Sequence, residues 1–272
     1  MNTAAGQQLP LWNGRSAEAE WRVRRSARAR RLAVRVFHDG AVEVVVPERT
    51  RPHEVQSFVA RHQDWIARQR RRASLLPHEF PPDRLELKAI GETWHCQPVR
   101  GPAPIARAGL ADATVGGRLL RELAPCSGGG VLELATGADG NALRTALLAW
   151  LGARARAAFA PRLAALAARL GCACRRLQIR SQRTRWGSCS TRGTISLNLC
   201  LLFQRPAVLQ YLMVHELAHL RHMNHGPRFW ELVGHYEPQW REFDRELARG
   251  WTQVPAWLLG ALRTRGTRVV ED

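Results

Sequence analysis

The strongest indication of the fold in this sequence is the segment His215-Glu216-Leu217-Ala218-His219, which is followed six residues later by His225. Residues four apart lie on one face of a helix, so His215 and His219 can present two imidazole nitrogens to a single ion. Glu216 lies beside them, where it can take a proton from a metal-bound water without binding the metal itself. We therefore expect a catalytic metal site built on one helix.

His225 is the candidate third ligand, and it requires the helix to end first. A helix turns about 100° per residue and would carry residue 225 away from residue 219. Asn224 and Gly226 bracket His225, and both residue types readily adopt the left-handed conformation that ends helices. Three histidine ligands leave a fourth tetrahedral position open for water, which is typical of catalytic and not of structural zinc sites.

The start of the same helix is predicted at Pro206. Proline is tolerated in the first turn, and residues 207–220 contain no further helix breaker. Val208 and Leu212 continue the stripe of His215 and His219 at spacings of three and four, so the face that carries the metal ligands is also the buried face.

Three strings around this helix resemble the YgjP-like family of bacterial zinc metallopeptidases. They are Ile-Arg-Ser-Gln-Arg-Thr-Arg-Trp-Gly-Ser-Cys at 179–189, Ile-Ser-Leu-Asn at 195–198 and Asn-His-Gly-Pro-Arg-Phe-Trp at 224–230. A weaker resemblance extends from about residue 22 to residue 247. It implies that His215, His219 and His225 are zinc ligands and that Glu216 is the general base. The histidine spacing also matches that of metzincin proteases, although His222 replaces their glycine between the second and third ligands.

The predicted fold class is α+β. The resemblance implies a zincin-like metallopeptidase domain, whose active-site helix packs on a small, mostly antiparallel sheet, preceded by a small β-rich N-terminal region. We place the N-terminal accessory region, with one helix over residues 52–72, at residues 16–135, the metallopeptidase domain at 136–255 and a C-terminal tail at 256–272.

Periodicity and turn residues place the elements of this fold. A hairpin is predicted over 31–47, short strands over 177–182, 185–190 and 194–199, and a helix from Asn141 to Leu170. Asn141 is the expected cap of that helix, Gly171 its stop, and Pro161 a kink or a division.

Hydrolysis also needs a donor for the developing oxyanion, and the sequence offers four candidates without choosing among them. These possible substrate or oxyanion contacts are Arg185, His222, Arg228 and Tyr236. The partner expected for this first reading is a peptide or protein substrate, and the expected cofactor is Zn²⁺.

A second hypothesis keeps the same metal site but gives it a different substrate. Its basis is that one member of the resembled family carries a UTP pyrophosphatase assignment. Arg180, Arg183 and Arg185 could neutralise the phosphates of a nucleoside triphosphate. Phosphoryl chemistry often uses magnesium with carboxylates, whereas imidazoles suit zinc better, which favours the peptidase reading.

A third hypothesis is based on the net charge of the chain. The 272 residues carry a formal net charge of +18, which attracts polyanions such as nucleic acid. A nucleic-acid-binding protein with a structural or idle metal site would explain that charge, but it leaves Glu216 without a role.

Targeting signals and disulfide patterns are not evident. No apolar run approaches the roughly 20 residues that span a bilayer, and residues 1–10 contain no apolar signal core. The six cysteines have neither scaffold density nor paired zinc spacing, and Cys189 lies near the proposed site without an assigned role. We expect a cytoplasmic protein with reduced cysteines and no membrane partner; the sequence does not predict its oligomeric state.

Overall fold

The computed structural model describes residues 21–27, 29–37, 40–74, 80–100, 119–126, 128–135 and 139–265. The fold is mixed α+β, as predicted. The chain divides into two compact units, residues 1–70 and 71–272. This division differs from the predicted boundary at residue 135, because the strands between residues 84 and 135 share one hydrophobic core with the histidine-bearing region.

The first unit contains a three-stranded sheet. Its strands are β1 (Trp21–Arg25), β2 (Ala33–Val36) and β3 (Val42–Val46), in the order β1-β3-β2. Strands β2 and β3 form the predicted antiparallel hairpin, and β1 pairs with β3 in parallel. Residues 38 and 39 of the predicted turn lie outside the described residues.

The single helix predicted over residues 52–72 is two helices, α1 (Pro52–Arg61) and α2 (Gln63–Ser74). They are separated at His62, whose ψ of 7° departs from helical geometry. The backbone N–H of His62 donates to the Val59 carbonyl. Val55 of α1 packs with Val44 and Val46 of β3 to form the core of this unit.

The second unit begins with a four-stranded sheet. Its strands are β4 (Arg84–Leu87), β5 (Glu92–Val99), β6 (Leu120–Cys126) and β7 (Gly129–Ala135), in the order β4-β5-β7-β6. Trp94 of β5 is fully buried and meets Trp150 edge to face at 5.3 Å. Trp150 belongs to the following helix, so this contact joins the sheet to it.

That helix, α3 (Gly140–Leu170), is the longest described element. Its cap is Asp139, whose side chain accepts a hydrogen bond from the Asn141 backbone, so the prediction of Asn141 as the cap was wrong by two residues. Gly171 ends the helix as predicted, with φ of 61°. Pro161 lies inside the helix without dividing it.

A second small sheet precedes the histidine motif. Its strands are β8 (Arg176–Arg180), β9 (Gly187–Cys189) and β10 (Thr194–Asn198), in the order β8-β10-β9. The pairing of β9 with β10 is antiparallel and that of β8 with β10 is parallel. All three predicted strands are present, and β9 lies at the edge of the sheet, against the next helix.

Helices complete the second unit. They are α4 (Pro206–Ala218), α5 (Pro227–Tyr236), α6 (Trp240–Arg249) and α7 (Ala256–Arg265). The predicted C-terminal tail begins with α7, and there Trp257, Leu258 and Leu262 are buried in the core. Residues 266–272 lie outside the described residues.

None of the described helices is both long enough and apolar enough to cross a membrane.

Candidate metal centre

His215 and His219 lie at the C-terminal end of α4. The helix begins at Pro206 as predicted and ends at Ala218, which makes His219 its C-cap. The two imidazole centroids are 5.1 Å apart, one helical turn from each other. The helix is buried along most of its length, with Val208, Leu212 and Leu217 in the core. Both imidazoles are therefore held by a rigid element.

His225 reaches the same place from the segment between α4 and α5. Helix α4 ends at Ala218, seven residues before His225. The helix therefore ends earlier than the bracketing Asn224 and Gly226 predicted. Gly226 has φ of −76° and ψ of 179°, an extended conformation, and it caps α5. The predicted left-handed turn at Gly226 was wrong. His225 is placed instead by the extended approach to α5, which begins at Pro227.

The three imidazoles converge. One nitrogen from each of His215, His219 and His225 lies within 4.8 Å of the other two, and the Nε2 atoms of His215 and His225 are 3.1 Å apart. A tetrahedral zinc with bonds of 2.0–2.1 Å would hold its ligand nitrogens about 3.3 Å apart. His225 is exposed, while the other two are half-buried. The group therefore fits a zinc ion and opens to solvent on one side.

Phe229 forms an apolar floor beneath all three rings. Its centroid is 5.0 Å from that of His215 and 4.6 Å from those of His219 and His225, and its side chain is fully buried. Trp230 lies beside the group, 5.5 Å from His225, and stacks on another tryptophan outside it. The sequence did not predict the contact of Phe229 with every candidate ligand.

Burial disfavours the charged forms of His215 and His219. Burial lowers the pKa of His215 to about 3, with the neighbouring imidazoles of His219 and His225 adding to the effect. Burial also lowers the pKa of His219, although a hydrogen bond from its Nδ1 to the His222 carbonyl, at 3.1 Å, acts in the opposite direction. Neutral imidazole is the form that binds a metal, and the Nδ1 bond leaves the Nε2 of His219 available.

Glu216 is buried next to this group. Its side chain is 4% exposed, and burial raises its pKa to about 8. Its Oε2 has no hydrogen-bond partner among the described residues. A buried acceptor without a protein partner is costly unless a water, a proton or a ligand occupies it. The carboxyl therefore has the free acceptor that a general base needs.

Gly187 of β9 makes room for this carboxyl. A Cβ atom at position 187 would lie 2.4 Å from the Oε1 of Glu216. Only glycine allows the strand to approach so closely. The glycine of the string Trp-Gly-Ser-Cys thus has a structural explanation. The sequence did not reveal it, because residues 187 and 216 lie on different elements.

Asn198 holds the loop before β9. Its buried side-chain amide donates to the carbonyls of Gln182, at 2.6 Å, and Arg185, at 2.8 Å, and its oxygen accepts from the Cys200 backbone. These bonds fix the segment that leads to Gly187, so the amide positions the strand beside Glu216.

Cys189 follows two residues after Gly187 and carries a thiol that stays protonated. Burial, together with the nearby Glu216 carboxyl and the Cys174 thiol, raises its pKa to about 11. A thiol needs to ionise to bind zinc or to act as a nucleophile. The group of candidate ligands that converges among the described residues does not include Cys189.

The four candidate contact residues lie in different settings. Arg185 and Arg228 are exposed, and His222 is half-buried and contributes its backbone carbonyl to His219. The hydroxyl of Tyr236 donates to the Arg169 carbonyl at 3.0 Å, which ties α5 to α3.

The chain was compared with protein families, curated proteins and solved structures. A family model described as "YgjP-like, metallopeptidase domain" matches residues 30–97 and 128–250, which is more than half of the chain. No curated protein matches. A solved structure, the crystal structure of the metallopeptidase zymogen of Pyrococcus abyssi abylysin, is 28% identical over 32% of this chain and 90% of that chain, with a TM-score of 0.30.

Proposed function

The chain belongs to the YgjP-like metallopeptidase family, and from that premise we propose that it is a zinc-dependent peptidase with Glu216 as its general base. His215, His219 and His225 would hold the ion. The observation that carries the proposal is the convergence of three imidazoles beside a buried carboxyl whose Oε2 has no hydrogen-bond partner among the described residues. A divalent ion held there would polarise a carbonyl and make water a better nucleophile near neutral pH.

The role of Glu216 follows from its surroundings. Its oxygen accepts a proton from the attacking water, and the carboxyl then passes that proton to the amine that leaves. Burial stabilises the protonated form, because it disfavours the charged carboxylate. The carboxyl can therefore hold the proton between the two transfers.

The edge strand β9 supports a peptide as the substrate. Among the described strands β9 pairs only with β10, and Gly187 places it against Glu216. An extended peptide that pairs with the free edge would pass beside the carboxyl, and backbone pairing tolerates many side chains. For the oxyanion, Tyr236 already donates its proton to a carbonyl, which favours Arg185, His222 or Arg228 as the donor.

The experiment compares two substrates on one protein. The purified chain is incubated with an unfolded protein and with UTP, each with and without a zinc chelator. We expect metal-dependent cleavage of peptide bonds. Hydrolysis of UTP alone would favour the pyrophosphatase reading, and salt-dependent nucleic-acid binding without hydrolysis of either substrate would favour the binding-protein reading.

Glu216→Gln tests the base. We expect this variant to retain the metal and to lose about 10²- to 10⁴-fold in turnover, because the amide cannot accept and release the proton. Glu231→Gln makes the same chemical change at an exposed position of α5 and serves as the matched control. Wild-type turnover in Glu216→Gln at full metal content would refute the assignment.

A further inference from the structure

A chain of two hydrogen bonds leads from α6 to the first histidine of the motif. The phenol of Tyr211, on α4, donates to the Oδ1 of Asp244 at 2.8 Å. The same phenol oxygen lies 3.4 Å from the Nδ1 of His215, one turn further along α4. Tyr211 is 1% exposed, whereas Asp244 is exposed on the surface of α6. A surface carboxylate is thus connected to an imidazole of the metal centre through a buried phenol.

The order of donors and acceptors along this chain is determined. An ionised carboxylate can only accept, so the single proton of the phenol is committed to Asp244. Toward His215 the phenol oxygen can therefore only accept, and the Nδ1 of His215 must carry the proton. A neutral imidazole with its proton on Nδ1 has its lone pair on Nε2. This is the nitrogen that lies 3.1 Å from the Nε2 of His225.

The second histidine of the motif reaches the same state by a different contact. The Nδ1 of His219 is paired with the His222 carbonyl, which likewise leaves its Nε2 free. A backbone carbonyl belongs to the local turn, whereas Tyr211 and Asp244 join α4 to α6. The hydrogen bond at the Nδ1 of His215 therefore depends on the packing of α6 against α4, whereas the bond at the Nδ1 of His219 is made within the local turn.

We propose that Tyr211 and Asp244 are positioning residues of the metal centre, which hold His215 in the tautomer that presents Nε2. The inference rests on the proposed function in that the three imidazoles bind a metal. Asp244 acts through Tyr211: its carboxylate orients the phenol proton, and the phenol oxygen then receives the N–H of His215. Neither residue touches the substrate.

The test measures metal affinity in the full chain by competition with a chelator. We expect Tyr211→Phe and Asp244→Ala each to weaken zinc binding by about 10- to 100-fold, the usual effect of losing an outer partner of a ligand. The double variant should bind no more weakly than Tyr211→Phe alone, because without the phenol oxygen Asp244 has no route to His215. Affinities within twofold of the wild type, or losses that add, would overturn the proposal.

Glu242→Gln is the control for charge, because it removes one negative charge from an exposed position of the same helix. It should leave the zinc affinity unchanged. Tyr211→Phe keeps the buried ring, and Asp244 is exposed, so denaturant unfolding should show folded variants. If Tyr211→Phe does not fold, Asp244→Ala alone carries the affinity test, with the same expected weakening.

The tautomer of His215 gives a readout that is independent of the metal and of hydrolysis. Two-bond ¹H–¹⁵N correlations of the metal-free protein should show the proton on Nδ1 in the wild type. In Tyr211→Phe they should show a shift toward the Nε2–H form, because the buried Nδ1–H would lose its acceptor. An unchanged tautomer would contradict the inference. If the wild type shows the Nδ1–H form and Tyr211→Phe shows the shift, but the wild type binds no zinc, the result would contradict the proposed function instead.

Discussion

Glu216 is a carboxyl in an environment that favours its neutral form. Its burial raises its pKa to about 8, and no described residue pairs with its Oε2. Stability alone would select an apolar residue or a paired acid at such a position. The cost of keeping an acid there is consistent with a role in proton transfer, as strongly shifted groups in open sites commonly have.

In the metal-free protein, this cost should make the free energy of unfolding depend on pH. The folded-state pKa of Glu216, about 8, lies above the ordinary value of 4.5 for this group, so the folded protein holds an extra proton between these pH values. The contribution of this group to the free energy of unfolding then falls as pH rises, by at most about 1.4 kcal/mol per pH unit.

Glu216→Gln should therefore gain stability relative to the wild type between pH 4.5 and pH 8, and the two should converge at lower pH. Urea unfolding of chelator-treated protein across this range measures the difference. A difference that does not vary with pH would show that Glu216 is not shifted.

A substitution at Gly187 tests whether turnover requires the observed position of the Glu216 carboxyl. In Gly187→Ala the new Cβ would overlap the Oε1 of Glu216, so we expect the carboxyl to move while the histidines stay in place. A displacement of about 1 Å can cost about 100-fold in turnover. Gly260→Ala, whose Cβ would meet nothing within 4 Å, is the control. Equal turnover in the two variants, at equal metal content, would mean that the contact has no catalytic importance.

At the scale of elements, the sequence predicted what depends on local periodicity. Residues 215 and 219 share a helix face by spacing alone, and Pro206 predicted the start of α4. The contact of Gly187 with Glu216 and the chain from Asp244 through Tyr211 to His215 were not predicted. Both join different elements, and their formation depends on packing that no local pattern encodes.

Helix α3 shows how closely a local signal can predict an element's end. Gly171 has φ of 61°, so Gly171→Ala should destabilise the protein by about 1 kcal/mol. Gly152 lies within the same helix, with open space around a Cβ, so Gly152→Ala should stabilise it by a similar amount. Thermal unfolding of both variants measures the two changes, and a shift of the same sign in both would contradict this explanation of the helix end.

At the scale of the whole molecule, the chain forms two units with separate cores. The sequence predicted an accessory region ending at residue 135, whereas the first unit ends at residue 70. Apolar alternation identifies strands but not the partner against which they pack. Leu85, Trp94 and Leu132 lie on three strands of the four-stranded sheet, and only the structure shows that they share a core with α3 and α4.

We propose that one divalent ion is shared by three imidazoles, of which His225 comes from a separate segment. In the described residues no other group of three or more histidine, cysteine, aspartate or glutamate side chains converges in this way. The most direct test is to titrate the metal-free full-length chain with zinc in competition with a chelator. We expect one tight site per chain, weakened by about 100-fold or more in His225→Ala and unchanged in His235→Ala. Tight zinc binding that persists in His225→Ala would contradict the proposed three-histidine site.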